Sequence, residues 1–231
     1  MIKHHPTFEL IQQFVKGDLP ASLSAGISIH AEMCPKCMQK ITELTEQVAE
    51  ISFEDSVSNQ FSLTNESAQS QSLNMSEDDF DAMINSITSS NDIVVEKQRT
   101  VAKVEYQNEL YTLPSAISSM VRGKDSSFGK LTRTRLQLNE NEIHTSLLHI
   151  SPGGGVPEHT HKGFELTVLL EGSFHDEEGE YVKGDFIMLD GSHQHSPVSN
   201  NGCLCYTVAN DALHFSQGIN KLLNPIGSFI Y

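Results

Sequence analysis

The apolar residues of this chain repeat with two different periods, and the change between them falls near residue 108. Before that point they recur at spacings of three and four, which predicts amphipathic helices. After it, short apolar runs are separated by turn signals every 8 to 12 residues, which predicts antiparallel strands. We therefore expect a multidomain α plus β protein in which a small helical bundle precedes an antiparallel β-sandwich or small β-barrel.

Three short helices are predicted at the start of the chain. The first covers residues 7–16, with Thr7 as its N-cap and Gly17 as its stop signal. The second begins near Pro20, and the third follows Cys37, where apolar residues again recur at helical spacings. Because three short helices bury little apolar surface, we expect an additional cross-link to stabilise them.

A fourth amphipathic helix is predicted at residues 76–88, after a polar linker of about residues 52–75. Its apolar stripe consists of Phe80, Met83, Ile84 and Ile87. The stripe can bind a groove on a partner protein, or it can complete the core of the helical bundle. The predicted domains are a helical domain at 1–90, a linker at 91–107 and a β domain at 108–231.

The charge balance excludes several classes of partner. The chain has 15 Lys and Arg against 30 Asp and Glu, and its net charge of −15 would repel nucleic acid and anionic lipid. No run of about 18 apolar residues occurs, so the sequence predicts no membrane span. The first residues lack the basic and apolar segments of a secretory signal, and we expect a cytoplasmic protein.

The stretch HAEMCPKC has the spacing of a metal site. His30 and Cys34 are four positions apart and share one face of a helix, and Cys37 completes a CxxC pair. A tetrahedral zinc ion needs one more ligand, for which His4 and His5 both qualify. A CxxC pair can also be a thioredoxin-like redox pair, but no βαβ pattern surrounds this one. We expect a zinc ion to be the cross-link of the helical bundle.

A second candidate metal site lies in the stretch HTHKGFE. His159 and His161 point the same way on a strand, and Glu165 follows across a turn. A fourth ligand is expected from a later strand, where His193 and His195 are both available. Three imidazoles and one carboxylate suit zinc, iron, manganese or nickel.

The glycines, histidines and glutamate of this region resemble the first motif of the cupin family. The HTH triplet and Glu165 stand between glycines at the cupin intervals. The second motif is matched in part, since Asp190 stands where proline is usual and Ser192 where glycine is usual. His195 falls at the metal-ligand position of that second motif, which favours it over His193.

The whole chain resembles the ChrR family of zinc-binding anti-sigma factors. The resemblance is carried by the N-terminal histidine pair, the HAEMCPKC segment, the polar linker, the amphipathic helix and the single cupin. It selects His5 over His4 and implies a zinc anti-sigma domain followed by a cupin domain, with Zn²⁺ in the first and, we expect, also in the second. The implied ligands are His5, His30, Cys34 and Cys37 in the first site and His159, His161, Glu165 and His195 in the second.

The resemblance also implies a function. The protein would bind an extracytoplasmic-function (group IV) sigma factor in a 1:1 complex and release it on oxidative stress, sensed as singlet oxygen or organic peroxide at the cupin metal. It would not be an enzyme, and it would contact neither nucleic acid nor membrane directly. One alternative is a cupin metal-dependent dioxygenase acting on a small organic substrate.

A further alternative is a thiol switch in which Cys34 and Cys37 oxidise and eject zinc. The other two cysteines, Cys203 and Cys205, alternate along one predicted strand and so face the same side. For this second pair we favour buried packing over a redox role.

Overall fold

The computed structural model of this chain describes residues 1–62, 77–89, 101–161, 163–210 and 214–215. The helices in these residues are α1 (Phe8–Lys16), α2 (Ala21–Met33), α3 (Pro35–Ser62) and α4 (Glu77–Ser89). The predicted N-cap of the fourth helix, Ser76, and most of both predicted linkers lie outside the described residues. None of the helices in the described part combines the length and apolar character needed to cross a membrane.

Antiparallel strands make up most of the second half of the chain. They are β1 (Lys103–Tyr106), β2 (Glu109–Thr112), β3 (Arg122–Phe128), β4 (Leu131–Leu136), β5 (His144–Ile150), β6 (Gly154–Gly155), β7 (His159–Thr160), β8 (Phe164–His175), β9 (Glu180–Val182), β10 (Phe186–Asp190), β11 (Val198–Ser199), β12 (Cys203–Ala209) and β13 (His214–Phe215). The larger sheet runs in the order β3-β4-β5-β12-β8-β11-β6 and curls into a half-barrel. The predicted fold class, helices followed by an antiparallel barrel-like sheet, is confirmed.

The helix ends follow signals in the sequence. Thr7 Oγ1 accepts a hydrogen bond from the backbone N–H of Leu10 at 3.3 Å, as an N-cap should. Gly17 ends α1 with a φ of 76° and donates its N–H back into the last turn. By contrast α3 runs to Ser62, past the point where the polar linker is predicted to begin. No glycine or proline occurs between residues 36 and 113, so the polar composition there does not break the helix.

Strand β8 is the centre of the sheet. It is 12 residues long, pairs with β12 along one edge, and pairs with β10 and β9 along the other. Gly172 in β8 has a φ of 77°, and a Cβ there would lie 2.2 Å from the carbonyl oxygen of Gly202. Only glycine therefore permits the close approach of the chain between β11 and β12, near a register shift in the β8–β12 pairing.

Both faces of β8 and β12 are buried. On the outer face, Leu166, Val168, Leu204 and Tyr206 belong to the largest core cluster. On the inner face, Glu165, Thr167, Cys205 and Thr207 line a cavity inside the half-barrel. A strand buried on both faces carries apolar residues on both, which is why the alternation in the sequence is only partial.

Helix α2 packs directly on the outer face of this sheet. Ile27 and Ile29 are fully buried in the same core cluster as Leu166 and Tyr206. The hydroxyl of Tyr206 donates a hydrogen bond to the carbonyl oxygen of Ser22 at 2.8 Å. The first two helices and the half-barrel therefore share one hydrophobic core.

The chain divides into two compact units. Residues 1–49 and 101–231 form the first unit, and residues 50–100 form the second, which contains the end of α3 and all of α4. The domain limits predicted from the sequence, at residues 90 and 108, stay a prediction.

The shared core predicts that a change in α2 destabilises the half-barrel. All five tyrosines lie beyond residue 105 and there is no tryptophan, so intrinsic fluorescence during urea unfolding reports the β half alone. We expect Ile27→Ala to lower the free energy of unfolding in that assay by about 2–5 kcal/mol, because it leaves a cavity in the core. Ile51→Ala, at an exposed position of α3, should change it by less than about 0.5 kcal/mol. An unchanged fluorescence transition for Ile27→Ala would show that the helices and the half-barrel unfold independently.

Candidate metal centres

Four side chains from three segments meet in a cluster at the junction of α2 and α3. They are His5, His30, Cys34 and Cys37, and one ligand atom of each lies within 4.8 Å of the others. His5 Nδ1 is 3.3 Å from His30 Nε2 and 3.5 Å from each of the two sulfur atoms. His30 Nε2 is 3.2 Å from Cys37 Sγ. Nitrogen and sulfur ligands of a tetrahedral zinc ion lie about 3.3–3.8 Å apart, so these four residues fit a metal of that kind.

The local sequence explains how three of these side chains converge. His30 is in the last turn of α2, Cys34 is its C-cap, and Cys37 is in the first turn of α3, which begins at Pro35. Both cysteines are buried in a small core cluster with Ile11 of α1 and Leu44 of α3. The cluster therefore joins all three helices at one point.

The protonation states of His30 and Cys37 indicate which of their atoms can bind a metal ion. His30 Nδ1 lies 2.7 Å from the carbonyl oxygen of Gly184, so Nδ1 must carry the proton and Nε2 is left as a ligand. Burial lowers the pKa of His30, which keeps the ring neutral. Burial and the neighbouring Cys34 raise the pKa of Cys37 to about 12, so a metal ion must displace the proton of that thiol.

The structure separates the two N-terminal histidines. His5 turns into the cluster, whereas the His4 ring lies against Tyr181, with 4.8 Å between ring centroids. The backbone of His4 is bonded to the β half, since its carbonyl oxygen accepts from the N–H of Phe186 at 3.1 Å. His5 is therefore the member of the pair that the structure brings together with His30 and the cysteines.

A second cluster lies on the inner side of the half-barrel. It contains His159, His161, Glu165 and His195, again with one ligand atom each within 4.8 Å of the others. His159 Nε2 is 2.9 Å from His195 Nε2, and His161 Nε2 is 2.8 Å from Glu165 Oε2. Although His161 Nε2 and Glu165 Oε2 are close, their orientation does not meet hydrogen-bond geometry, and neither nitrogen of His161 has a hydrogen-bond partner among the described residues. Buried nitrogens that converge in this way fit a metal ion.

Neighbouring groups orient two of these imidazoles. His159 Nδ1 donates to the carbonyl oxygen of Pro157 at 2.9 Å, and His195 Nδ1 lies 3.6 Å from a carboxylate oxygen of Asp176. The hydrogen bond fixes the tautomer of His159, the charge of Asp176 lies on the Nδ1 side of His195, and the Nε2 atoms of both rings lie in the cluster. The structure therefore presents two Nε2 atoms as ligands.

The charges in the second cluster suit a cation. Burial lowers the pKa of His159 to about 4, so this ring is neutral. Burial alone would raise the pKa of Glu165, but the approach of the three imidazoles holds it well below its usual range. Burial alone would lower the pKa of His195, but Glu165 and Asp176 raise it above its ordinary value. The cluster thus sets three imidazole rings around one carboxylate anion, which is a typical donor set for a divalent metal.

A cavity of about 70 Å³ opens beside the second cluster. His159, Glu165 and His195 form one part of its wall, and Arg133 and Cys205 form others. A small molecule can therefore approach the second cluster from inside the half-barrel.

The remaining candidates from the sequence lie elsewhere. His193 is partly exposed, and its Nδ1 lies 2.8 Å from Asp190 Oδ1 in the hairpin before His195. Cys203 and Cys205 are buried in the inner core cluster, with their sulfur atoms 4.0 Å apart. The apolar stripe on α4 is exposed along its whole length; its residues are Phe80, Met83, Ile84 and Ile87.

Sequence reasoning missed the residues that support both clusters. Asp176 beside His195, and Gly184 beside His30, belong to no metal motif. Asp176 lies in a tight turn, and Gly184 belongs to the Gly-Asp pair that precedes β10. Nothing in the sequence places either turn next to a ligand, because the proximity arises only when the sheet pairs and α2 packs on it.

This chain is similar to known proteins in both its helical half and its β half. Residues 127–212 match the family model described as the ChrR cupin-like domain. A curated relative, the anti-sigma-E factor ChrR of Cereibacter sphaeroides, is 26% identical over 231 residues, which cover 97% of each chain. In the crystal structure of Rhodobacter sphaeroides SigE in complex with the anti-sigma ChrR, a matching chain is 22% identical. That match has a TM-score of 0.63 and covers 90% of this chain and 100% of the other.

The fold and the two clusters define a class of protein in which a helical segment with a Cys/His cluster packs on a cupin-like half-barrel with a His/Glu cluster. Within that class, the resemblance of this chain to the ChrR family, indicated by its sequence motifs, is confirmed over nearly its whole length.

The geometry of the helical cluster predicts different roles for its two N-terminal histidines. We expect His5→Ala to weaken the affinity for Co²⁺, followed by the thiolate-to-cobalt charge-transfer absorption, because one of four ligands is lost while both thiolates remain. His4→Ala should keep wild-type affinity for Co²⁺, because the His4 ring contacts Tyr181 and not the cluster. The opposite result for the two variants would assign the ligand to His4.

The second cluster allows a similar paired test. We expect His195→Ala to lower the metal content of the protein by about one equivalent, measured by elemental analysis after dialysis against a weak chelator. The thiolate-to-cobalt absorption should remain, because no cysteine belongs to this cluster. His193→Ala should keep the full metal content, and a loss of metal there would make His193 the ligand.

Proposed function

We propose that this protein is an anti-sigma factor that sequesters a group IV (extracytoplasmic-function) sigma factor in a 1:1 complex. It releases the sigma factor on oxidative stress, by singlet oxygen or organic peroxide, through the metal site of the half-barrel. The helical cluster holds Zn²⁺ through His5, His30, Cys34 and Cys37, and the second cluster holds a further metal ion, expected to be Zn²⁺. The protein acts in the cytoplasm and contacts neither nucleic acid nor membrane directly.

One observation carries this proposal. The curated anti-sigma-E factor is matched over 97% of both chains, so the match includes the helical half and the β half together. A likeness confined to the half-barrel would leave the function open, since one fold hosts many functions. The extent of the match supports a shared arrangement of a partner-binding part and a sensing part.

The exposed face of α4 supports the partner-binding role. Its four apolar side chains are between 40% and 67% exposed, which is unusual for a stripe at helical spacing. Asp79 and Asp81 are exposed on the same helix, within a chain of net charge −15. An apolar stripe with acidic neighbours fits a groove on a sigma factor, whose nucleic-acid-binding faces are basic.

The zinc site supports this role by fixing the helices. Four protein ligands leave no open position, which is typical of a structural zinc site. With zinc bound, α1, α2 and the start of α3 keep one arrangement, and the helical half can then cover the sigma surfaces that bind RNA polymerase core.

The second cluster supports a sensing role because small molecules can approach it. It borders a cavity, and its ligand Glu165 lies on β8, whose outer face packs on α2. Oxidation of a ligand or loss of the metal would change how β8 packs. That change would reach α2 directly and shift the helical half towards a form that releases sigma.

A second candidate function is a small-molecule dioxygenase, and the cavity beside the three histidines and Glu165 is the observation that favours it. A redox-active iron ion in this site could activate oxygen next to a bound substrate. The exposed stripe on α4 and the helical zinc site have no use in such an enzyme.

The proposal is tested with the full-length, zinc-loaded chain and a group IV sigma factor encoded next to its gene. We expect one 1:1 species in size-exclusion chromatography with light scattering, and its loss for Cys34→Ala. Ile84→Glu should weaken the complex by about 30-fold or more, because it places a charge in the apolar stripe. The matched control is Asn85→Glu, on the opposite face of α4, which should bind normally.

The same assay tests the sensing half. Organic peroxide should dissociate the wild-type complex, while the complex of the His195→Ala variant should stay together and that of His193→Ala should respond as wild type. Unchanged release by His195→Ala would contradict sensing at this site. Separate elution of chain and sigma factor under all conditions, with oxygen uptake on a diketone, would favour the dioxygenase.

A further inference from the structure

The turn between β9 and β10 belongs to the half-barrel, yet it contacts the helical metal cluster on two sides. We propose that Gly184 and Asp185 are positioning residues of that cluster, so that the half-barrel completes the zinc site of the helical half. This inference rests on the proposed binding of metal by His5, His30, Cys34 and Cys37.

Asp185 holds the segment that carries His5. Its side chain is fully buried, and its Oδ1 atom accepts hydrogen bonds from the backbone N–H groups of Lys3 at 2.7 Å and His4 at 3.0 Å. The N–H of Phe186 in turn donates to the carbonyl oxygen of His4 at 3.1 Å. Three hydrogen bonds thus fix the two residues that directly precede His5.

These bonds have a specific consequence for the ligand. Residues before the first helix of a chain are usually poorly ordered unless something holds them. His5 is the one exposed member of the cluster and lies just before α1, so the helices alone hold it loosely. Hydrogen bonds to a carboxylate are stronger than those between neutral groups, and they offset the entropy lost when this segment becomes ordered.

Gly184 acts on the other histidine. Its carbonyl oxygen accepts the Nδ1 proton of His30 at 2.7 Å, which fixes the tautomer and the ring orientation of that ligand. Gly184 has a φ of 92°, and a Cβ there would lie 2.5 Å from Cδ1 of Ile2. The glycine therefore lets the N-terminal segment lie close to the turn, while its carbonyl points at His30.

The turn itself is firmly held by the sheet. Asp185 Oδ2 accepts from the N–H of Val182 at 2.8 Å, the N–H of Gly184 donates to the carbonyl oxygen of Leu169 at 2.9 Å, and the N–H of Leu169 donates to the carbonyl oxygen of Asp185 at 3.1 Å. Leu169 belongs to β8, the strand that also carries Glu165 of the second cluster. The two metal clusters are thus connected through one strand and one turn.

The experiment measures metal affinity at the helical site in the full-length protein. Co²⁺ is titrated against a competing chelator, and the thiolate-to-cobalt absorption is followed because only the helical cluster contains cysteine ligands. We expect Asp185→Ala to weaken binding by about 10–100-fold, the range found for residues that support metal ligands. Asp185→Asn keeps one acceptor oxygen for Lys3 and His4, and should restore part of that loss.

The matched control is Asp176→Ala. Asp176 caps backbone N–H groups in the preceding hairpin of the same half-barrel, but it lies beside His195 and makes no contact with the helical cluster in the described residues. This variant should keep wild-type cobalt affinity at the helical site. The thermal unfolding of all variants, and the metal content of the second cluster in the two Asp185 variants, show that the half-barrel is intact.

Three results would overturn the inference. Wild-type cobalt affinity in both Asp185 variants would show that the turn does not position the ligands. An equal loss in Asp176→Ala would show that the effect is general destabilisation. Absence of the thiolate absorption from the wild-type protein would remove the metal site itself, whereas retention of the absorption without sigma binding would leave this inference intact and contradict the anti-sigma function alone.

Discussion

The packing of α2 on the outer face of β8 and β12 is the contact on which the rest of the structure depends. Ile27 and Ile29 are buried against the same residues that form the sheet's own core, so neither half can be completed without the other. The separate core around Ile11, Cys34, Cys37 and Leu44 is small. A cluster of that size stabilises little by burial alone, so the helical half depends on the sheet and, in the proposed function, on a metal cross-link.

The sequence predicts the elements and the clusters better than it predicts their assembly. The change of hydrophobic period separates helices from strands, and the spacings of HAEMCPKC and HTHKGFE select residues that the structure brings together. These signals are local, because each depends on the geometry of one helix turn or one hairpin. The contact of Asp185 with the segment before His5 joins residues 181 positions apart, and no local pattern encodes it.

The length of α3 shows a second limit of sequence reasoning. A stretch rich in Ser, Gln and Glu predicts a linker because it cannot bury apolar surface, yet the same stretch contains no residue that ends a helix. The apolar content of a segment indicates whether it can pack into a core, and the helix propensity of its residues indicates whether it can be helical. Between residues 52 and 62 the two criteria differ, and the structure follows propensity.

The two clusters differ in a way that assigns them different roles in the proposed function. In the helical cluster the cysteines are 3% and 6% exposed, and all four ligands come from protein, so an oxidant has little access to sulfur. The raised pKa of Cys37 also disfavours a free thiolate when no metal is bound. The second cluster faces a cavity, and its ligands are therefore the ones that a small oxidant can reach. In the proposed function, the buried site holds zinc and fixes the helices, while the accessible site reacts with the oxidant. Strand β8 connects the two sites, which gives a physical reason for one chain to contain both. The same reasoning disfavours a switch based on Cys34 and Cys37, because both thiols are buried and the proposed zinc ion would have to leave before they could react.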